Sequence, residues 1–137
     1  MTEAEFRSLV VKMLAPLAAF PVENLVDDGT PDICCSVGWI ETKLGESPKR
    51  DVSRVAIKVR DSQRTWHRRW RRTGAKSLTL TLVDDVEWYL HDGNKINDLG
   101  NMSLSDMRIT AFTWWSRQPE PSELVRSLLQ FADRRTG

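Results

Sequence analysis

The chain has 137 residues, 40% of them hydrophobic, with a mean hydropathy of −0.43. This is enough apolar material for one domain with a single core, and no apolar run approaches the roughly 18 residues of a membrane span. The formal net charge of +1 hides a strong polarity: Lys49 to Lys76 holds 11 Lys and Arg against 2 acidic residues, net +9, which leaves −8 on the remainder and points to a basic patch that meets phosphate.

In chain order, Thr2 to Phe20 carries Phe6, Leu9, Val10, Met13 and Leu17 at helical spacing, with Thr2 as N-cap and Glu5 three residues on. Pro21 ends that amphipathic helix, and Val22 to Asp28 is expected as a short edge strand before an Asp28-Gly29 turn. Asp32 to Lys43 then reads as a β-hairpin. A two-residue turn at Ser36-Val37 pairs Asp32 with Glu41, and one at Val37-Gly38 pairs Asp32 with Lys43; both put the three charged groups on one face. Ile33, Cys35, Ile40, Thr42 and Leu44 collect on the other face, which suits a core. Pro31 has no N–H for a ladder, so it belongs at the strand's start and places Asp32 at the mouth of the sheet.

After a loop over Gly45 to Arg50, the residues Val52, Val55, Ala56, Val59, Gln63, Trp66 and Trp70 predict an amphipathic helix from Asp51 to Arg72. Gln63 is the polar member of that stripe, and a buried amide needs partners, which the carboxylate end of the hairpin can supply. Another face of the helix carries Arg60, Arg64, His67, Arg68 and Arg71, a stripe expected to line a nucleic-acid track together with Lys49 and Arg50 in the preceding loop. Thr73-Gly74 stops the helix, and Leu78, Leu80 and Leu82 alternate with threonines over the strand Ser77 to Val83. Strand, helix and strand in this order suggest a crossover onto one sheet. Val86 to Leu90 is a further strand, His91 to Asn94 a turn, and residues 95 to 108 are polar and poorly patterned. Ile109 to Trp115 is expected as a strand and Pro121 to Arg134 as a closing amphipathic helix. The expected fold is one α/β domain over residues 1–137, a central mixed β-sheet flanked by helices, with its core at about 1–90 and a C-terminal extension at about 91–137.

Two carboxylates on neighbouring strands repel unless a cation sits between them, and hard oxygen ligands favour Mg²⁺ or Mn²⁺. A lysine alongside completes a site for a phosphate. His67 and His91, the two histidines, leave little room for a histidine-metal nuclease, a Ser-His-Asp hydrolase or a zinc site. The glycines never fall at Walker or Rossmann spacing, so ATP dependence is not expected. The adjacent Cys34 and Cys35 read as reduced strand residues, and a start carrying Glu3 and Glu5 lacks the basic segment of a signal peptide, so the expected location is cytoplasmic.

Pro31-Asp32 and Glu41-Thr42-Lys43 resemble the signature of the PD-(D/E)XK nuclease superfamily, and Gly29 and Gln63 fit places in the pattern of its small stand-alone VRR-NUC type. The Ile-Glu-Thr-Lys segment is also similar to a strand of phage junction-resolving endonuclease I. The resemblance spans roughly residues 1 to 84. It implies a restriction-endonuclease-like core and a Mg²⁺- or Mn²⁺-dependent DNA endonuclease, with Asp32, Glu41 and the Thr42 backbone carbonyl on the metal. Lys43 and Gln63 complete the catalytic set, and one more glutamate comes from the start of the first helix, where stripe geometry selects Glu3 over Glu5. It further implies branched DNA, such as four-way junctions, as a substrate and a homodimer as the acting form, for which Trp114, Trp115 or the last helix offers a surface. The other reading the residues allow is a non-catalytic DNA-binding module that uses the basic helix 51–72.

Overall fold

Alternation in the Leu-Thr strand has a structural consequence: it gives the centre of a mixed sheet one oily face and one polar face. The computed structural model describes residues 1–23, 29–48 and 54–134. Among these, β1 (Phe20–Pro21), β2 (Ile33–Cys35), β3 (Gly38–Glu46), β4 (Ala56–Ile57), β5 (Ser77–Val83), β6 (Glu87–Asp92) and β7 (Thr113–Trp115) form one sheet. The order is β1-β2-β3-β5-β6-β7, with β4 paired to β3. β3 and β5 are parallel neighbours and every other pairing is antiparallel. Helix α2 (Asp61–Arg72) lies between β3 and β5 in the chain, as parallel neighbours require a crossover. Helices α1 (Glu3–Met13), α3 (Leu104–Thr110) and α4 (Pro121–Asp133) complete the mixed α/β architecture. No helix among the described residues is long and apolar enough to cross a membrane.

The oily face holds Ile33, Ile40, Leu78, Leu80, Leu82, Trp88 and Leu90, in one core with Phe6, Val10 and Met13 of α1 and Leu124, Leu128 and Phe131 of α4. Phe6 meets Trp88 edge-on, with ring centroids 5.0 Å apart. The last helix is therefore packed against the first through shared core residues. A second, smaller core of Val55, Val83, Tyr89, Ile96, Leu99, Met102 and Met107 lies on the other face.

Several local expectations change. The capping box of Thr2 and Glu5 forms, each backbone N–H donating to the other's side chain at 3.1 Å, and it holds the Glu5 carboxyl below its usual range. However, α1 stops at Met13 rather than Phe20, because Pro16 has no N–H for a helical bond and the chain turns through a 3-10 segment, Ala15–Leu17. The edge strand is Phe20–Pro21, ahead of the expected 22–28, of which residues 24–28 lie outside the described residues. The second helix begins at Asp61. Val55, Ile57 and Val59 turn inward while Arg54, Ala56, Lys58 and Arg60 turn outward, a period of two that the helical stripe masked, and Ala56 and Ile57 pair with Glu46 and Gly45. His91 is a buried strand residue of β6, paired with Thr79, and the turn follows it at Gly93–Lys95. Residues 95–108 supply Ile96, Leu99, Met102 and Met107 to the second core. Ile109 belongs to α3 and is exposed, so β7 starts only at Thr113.

Truncation of Phe131 to alanine opens a cavity between α4 and the sheet in a fully buried position. The expected cost is about 3–5 kcal/mol in urea unfolding; a loss below about 1 kcal/mol would mean that α4 does not support this core.

Candidate active site

Register decides the geometry of the hairpin. Ile33 pairs with Ile40, Cys34 with Trp39 and Cys35 with Gly38, so the turn is Ser36-Val37 and the same register brings Asp32 level with Glu41. β2 begins at Ile33, so its pairing with β3 stops at Ile40, and β4 joins the same edge of β3 only at Gly45. Between them, Glu41 to Leu44 have no strand partner on that edge among the described residues. The Asp32 side chain fills this gap. Its Oδ2 accepts the Thr42 backbone N–H at 3.1 Å and the Thr42 hydroxyl at 2.9 Å, two bonds that orient the carboxylate along the open edge.

Glu41 is 0% exposed, and neither of its oxygens accepts a hydrogen bond from any described donor. Burial first, and then the neighbouring Asp32 carboxyl, push its pKa far above the usual carboxylate range, against the pull of Lys43 and Arg60. With no donor in reach among the described residues, a proton shared with Asp32 or a cation would satisfy the pair. Two residues on, Lys43 is also buried, and its Nζ donates to Gln63 Oε1 at 2.8 Å. The same Oε1 accepts the Arg60 backbone N–H at 3.0 Å, so Gln63 caps the start of α2 while holding the lysine. Gly29 makes the approach possible: a Cβ there would lie 2.1 Å from the Ser62 carbonyl oxygen, so only glycine lets the Gly-Thr-Pro-Asp loop meet the first turn of α2.

Behind Glu41 runs a row that the strand pattern did not reveal. Glu41 pairs with Thr79 and Thr79 with His91 across three adjacent strands, all fully buried. Thr79 Oγ1, Thr81 Oγ1 and His91 Nδ1 have no described partner. His91 Nε2 lies 3.1 Å from the Met107 carbonyl oxygen, which can only accept, so the proton sits on Nε2 and Nδ1 is an acceptor. Burial lowers the His91 pKa to about 4, which keeps the ring neutral. The signal that these residues are covered lay in Ile96, Leu99, Met102 and Met107, too widely spaced to show one period.

Asp32, Glu41, Lys43 and Gln63 thus converge. Glu3 is exposed and lines a different hollow with Leu44, Glu46, Ile57 and Lys58; among the described residues no third Asp, Glu, His or Cys joins the two carboxylates in a metal-holding group. On α2, Arg68, Arg69 and Arg72 are exposed, Arg64 bonds Asp61 at 2.8 Å, and Arg71 bonds Asp92 at 3.2 Å. Arg60 precedes the helix as its N-cap. His67 is not on that outer face: it is 0% exposed, with Nδ1 2.7 Å from Ser77 Oγ, and burial lowers its pKa to about 4. Trp66 and Trp70 instead pack on Trp39, with centroids 5.6 and 6.2 Å apart, and this moves the buried stripe to Gln63 and His67. Lys49 and Arg50 lie outside the described residues.

The chain matches no protein-family model and no curated protein.

The two acidic side chains fit a hard divalent cation such as Mg²⁺, which is commonly held by one or two carboxylates with water and substrate phosphate filling the rest. Without a cation, Glu41 is a carboxyl whose folded pKa exceeds its unfolded value, so the folded state holds a proton that the unfolded state releases above about pH 4.5. Metal-free stability therefore falls as pH rises. Glu41→Gln removes this dependence: in EDTA its melting temperature should exceed wild type by a margin that grows from about pH 5 to about pH 8. Mg²⁺ or Mn²⁺ should raise the wild-type melting temperature and leave that of Glu41→Gln unmoved. Equal metal shifts in both proteins would mean that Glu41 holds no cation.

Proposed function

We propose that this chain is a divalent-metal-dependent DNA endonuclease of the PD-(D/E)XK kind, with β2, β3, α2 and β5 as a restriction-endonuclease-like core. The observation that carries the reading is Glu41, a fully buried carboxyl with no donor among the described residues, level with an Asp32 that Thr42 holds in place. An ordinary surface pair would be hydrated and would need neither the burial nor the open strand edge. Asp32, Glu41 and the Thr42 carbonyl would hold Mg²⁺ or Mn²⁺, which when bound acidifies a water and offsets the charge that builds on the scissile phosphate.

The remaining work falls to the protein. Thr42 fixes the Asp32 carboxylate so that it need not reorganise when substrate arrives. Lys43, held by Gln63, contacts the phosphate and positions the attacking water or takes its proton. The outer arginines of α2 attract and track the strand. Glu3 takes no part in this scheme. Branched DNA, four-way junctions among them, and a pair of chains that cuts paired strands are the substrate class and assembly that the motif resemblance implies.

Asp32→Asn keeps the side chain's shape but removes the charge that holds the metal. Cleavage of linear, flapped and four-way DNA with Mg²⁺ or Mn²⁺ should fall at least about a hundredfold, while affinity in EDTA stays level or rises. Lys43→Ala should lose cleavage to a similar extent and weaken DNA binding modestly, with metal binding retained. An Asp32→Asn protein that folds by circular dichroism yet cuts every tested DNA at the wild-type rate would end the nuclease reading.

A further inference from the structure

Helix α2 and the turn after β6 enclose an open hollow of about 290 Å³, separate from the carboxylates. Arg64, Arg68, Arg71 and Arg72 line it from the helix, with Asn94 facing them and His67 at its buried side. The acidic residues nearby are engaged: Asp61 holds Arg64, and Asp92 holds Arg71 and the Asn94 backbone N–H. Arg68 and Arg72 have no carboxylate partner among the described residues, so the hollow keeps an excess of positive charge. Two buried donor or acceptor positions beneath it, Arg71 Nη1 and His67 Nε2, also lack a described partner. An acceptor placed there selects the His67 tautomer with its proton on Nε2, in which the Ser77 hydroxyl donates to Nδ1.

Several guanidinium groups, a side-chain amide and buried unpaired N–H groups suit a tetrahedral oxyanion, reached directly or through one bridging water. Among the described residues no exposed aromatic ring lines the hollow for a base to stack on, so the chemistry reads phosphate without sequence. We propose that this hollow seats one backbone phosphodiester of the bound DNA strand, at a fixed offset from the phosphate that is cut. The identity of the ligand rests on the nuclease reading above. Arg68 lies five residues beyond Gln63, about 7.5 Å along the helix axis, so the hollow would stand at a set spacing from the Lys43 that Gln63 holds and fix where on the strand the cut falls.

The test uses the full chain in EDTA with DNA in which single phosphodiesters are replaced, one at a time, by uncharged methylphosphonates. In wild type, one linkage offset from the scissile position should weaken binding at least about tenfold when neutralised, and the same linkage should have no effect in Arg68→Ala/Arg72→Ala. Arg69→Ala is the control, being exposed on the same helix but absent from the hollow. It lowers overall affinity through charge and should keep the positional effect. A flat scan in wild type, or loss of the positional effect in Arg69→Ala as readily as in the double variant, would overturn the site and leave only a diffuse basic face. Cleavage with Mg²⁺ is scored separately: a flat scan with cleavage intact refutes the hollow alone, and a positional effect without cleavage refutes the nuclease reading alone. DNA that binds nowhere refutes the hollow.

Discussion

Glu41 is the point on which the surrounding structure depends. A carboxyl on a central strand, out of water and without a donor among the described residues, is costly, and the cost falls if the group is neutral or a cation arrives. Its neighbours supply little relief. Thr42 spends both of its donors on Asp32, and Lys43 donates to Gln63. The hairpin, its tight turn and the glycine against α2 therefore hold an electrostatically unfavourable arrangement in place, as expected of a site prepared for a ligand rather than of a packed core.

The sheet tolerates this because its two faces do different work. One face is a continuous apolar layer between the sheet and helices α1 and α4, and it supplies the burial that stabilises the fold. The other is polar at its centre, along Glu41, Thr79 and His91, and apolar toward one side, where Val55, Tyr89, Ile96, Leu99 and Met107 pack. Polar atoms along the central row that have no partner among the described residues are positions where ordered water commonly bridges buried groups.

Helix α2 joins the two themes. Its inner residues are Gln63 and His67, an unusual stripe for a helix that must dock on a sheet, so attachment comes from Trp66 and Trp70 on Trp39 and from hydrogen bonds to Lys43 and Ser77. The bond from Trp70 Nε1 to the Lys76 carbonyl ties its far end to the start of β5. Polar anchoring is directional, and a directional joint fixes where the outward arginines point.

Much of the local design was legible in the residues. Alternation in Leu78, Leu80 and Leu82 marked a strand with one buried face, Thr2 and Glu5 marked a helix start, and the spacing from Asp32 to Lys43 limited the hairpin to two registers, of which the structure selects the Ser36-Val37 turn. Gln63 was singled out as an amide in an apolar stripe, and it meets Lys43. These signals are local, because periodicity and turn chemistry act over a few residues. What they could not report is which polar face water reaches. Thr79 and Thr81 alternate with the leucines, His67 read as part of the basic face and His91 as a turn residue, yet all four are buried. The residues that cover this face, Gln63 on α2 and Ile96, Leu99 and Met107 after β6, lie far from one another in the chain and share no period. Only the tertiary structure brings them over one face, and by excluding water there it turns an acidic strand residue into a buried carboxyl that needs a partner.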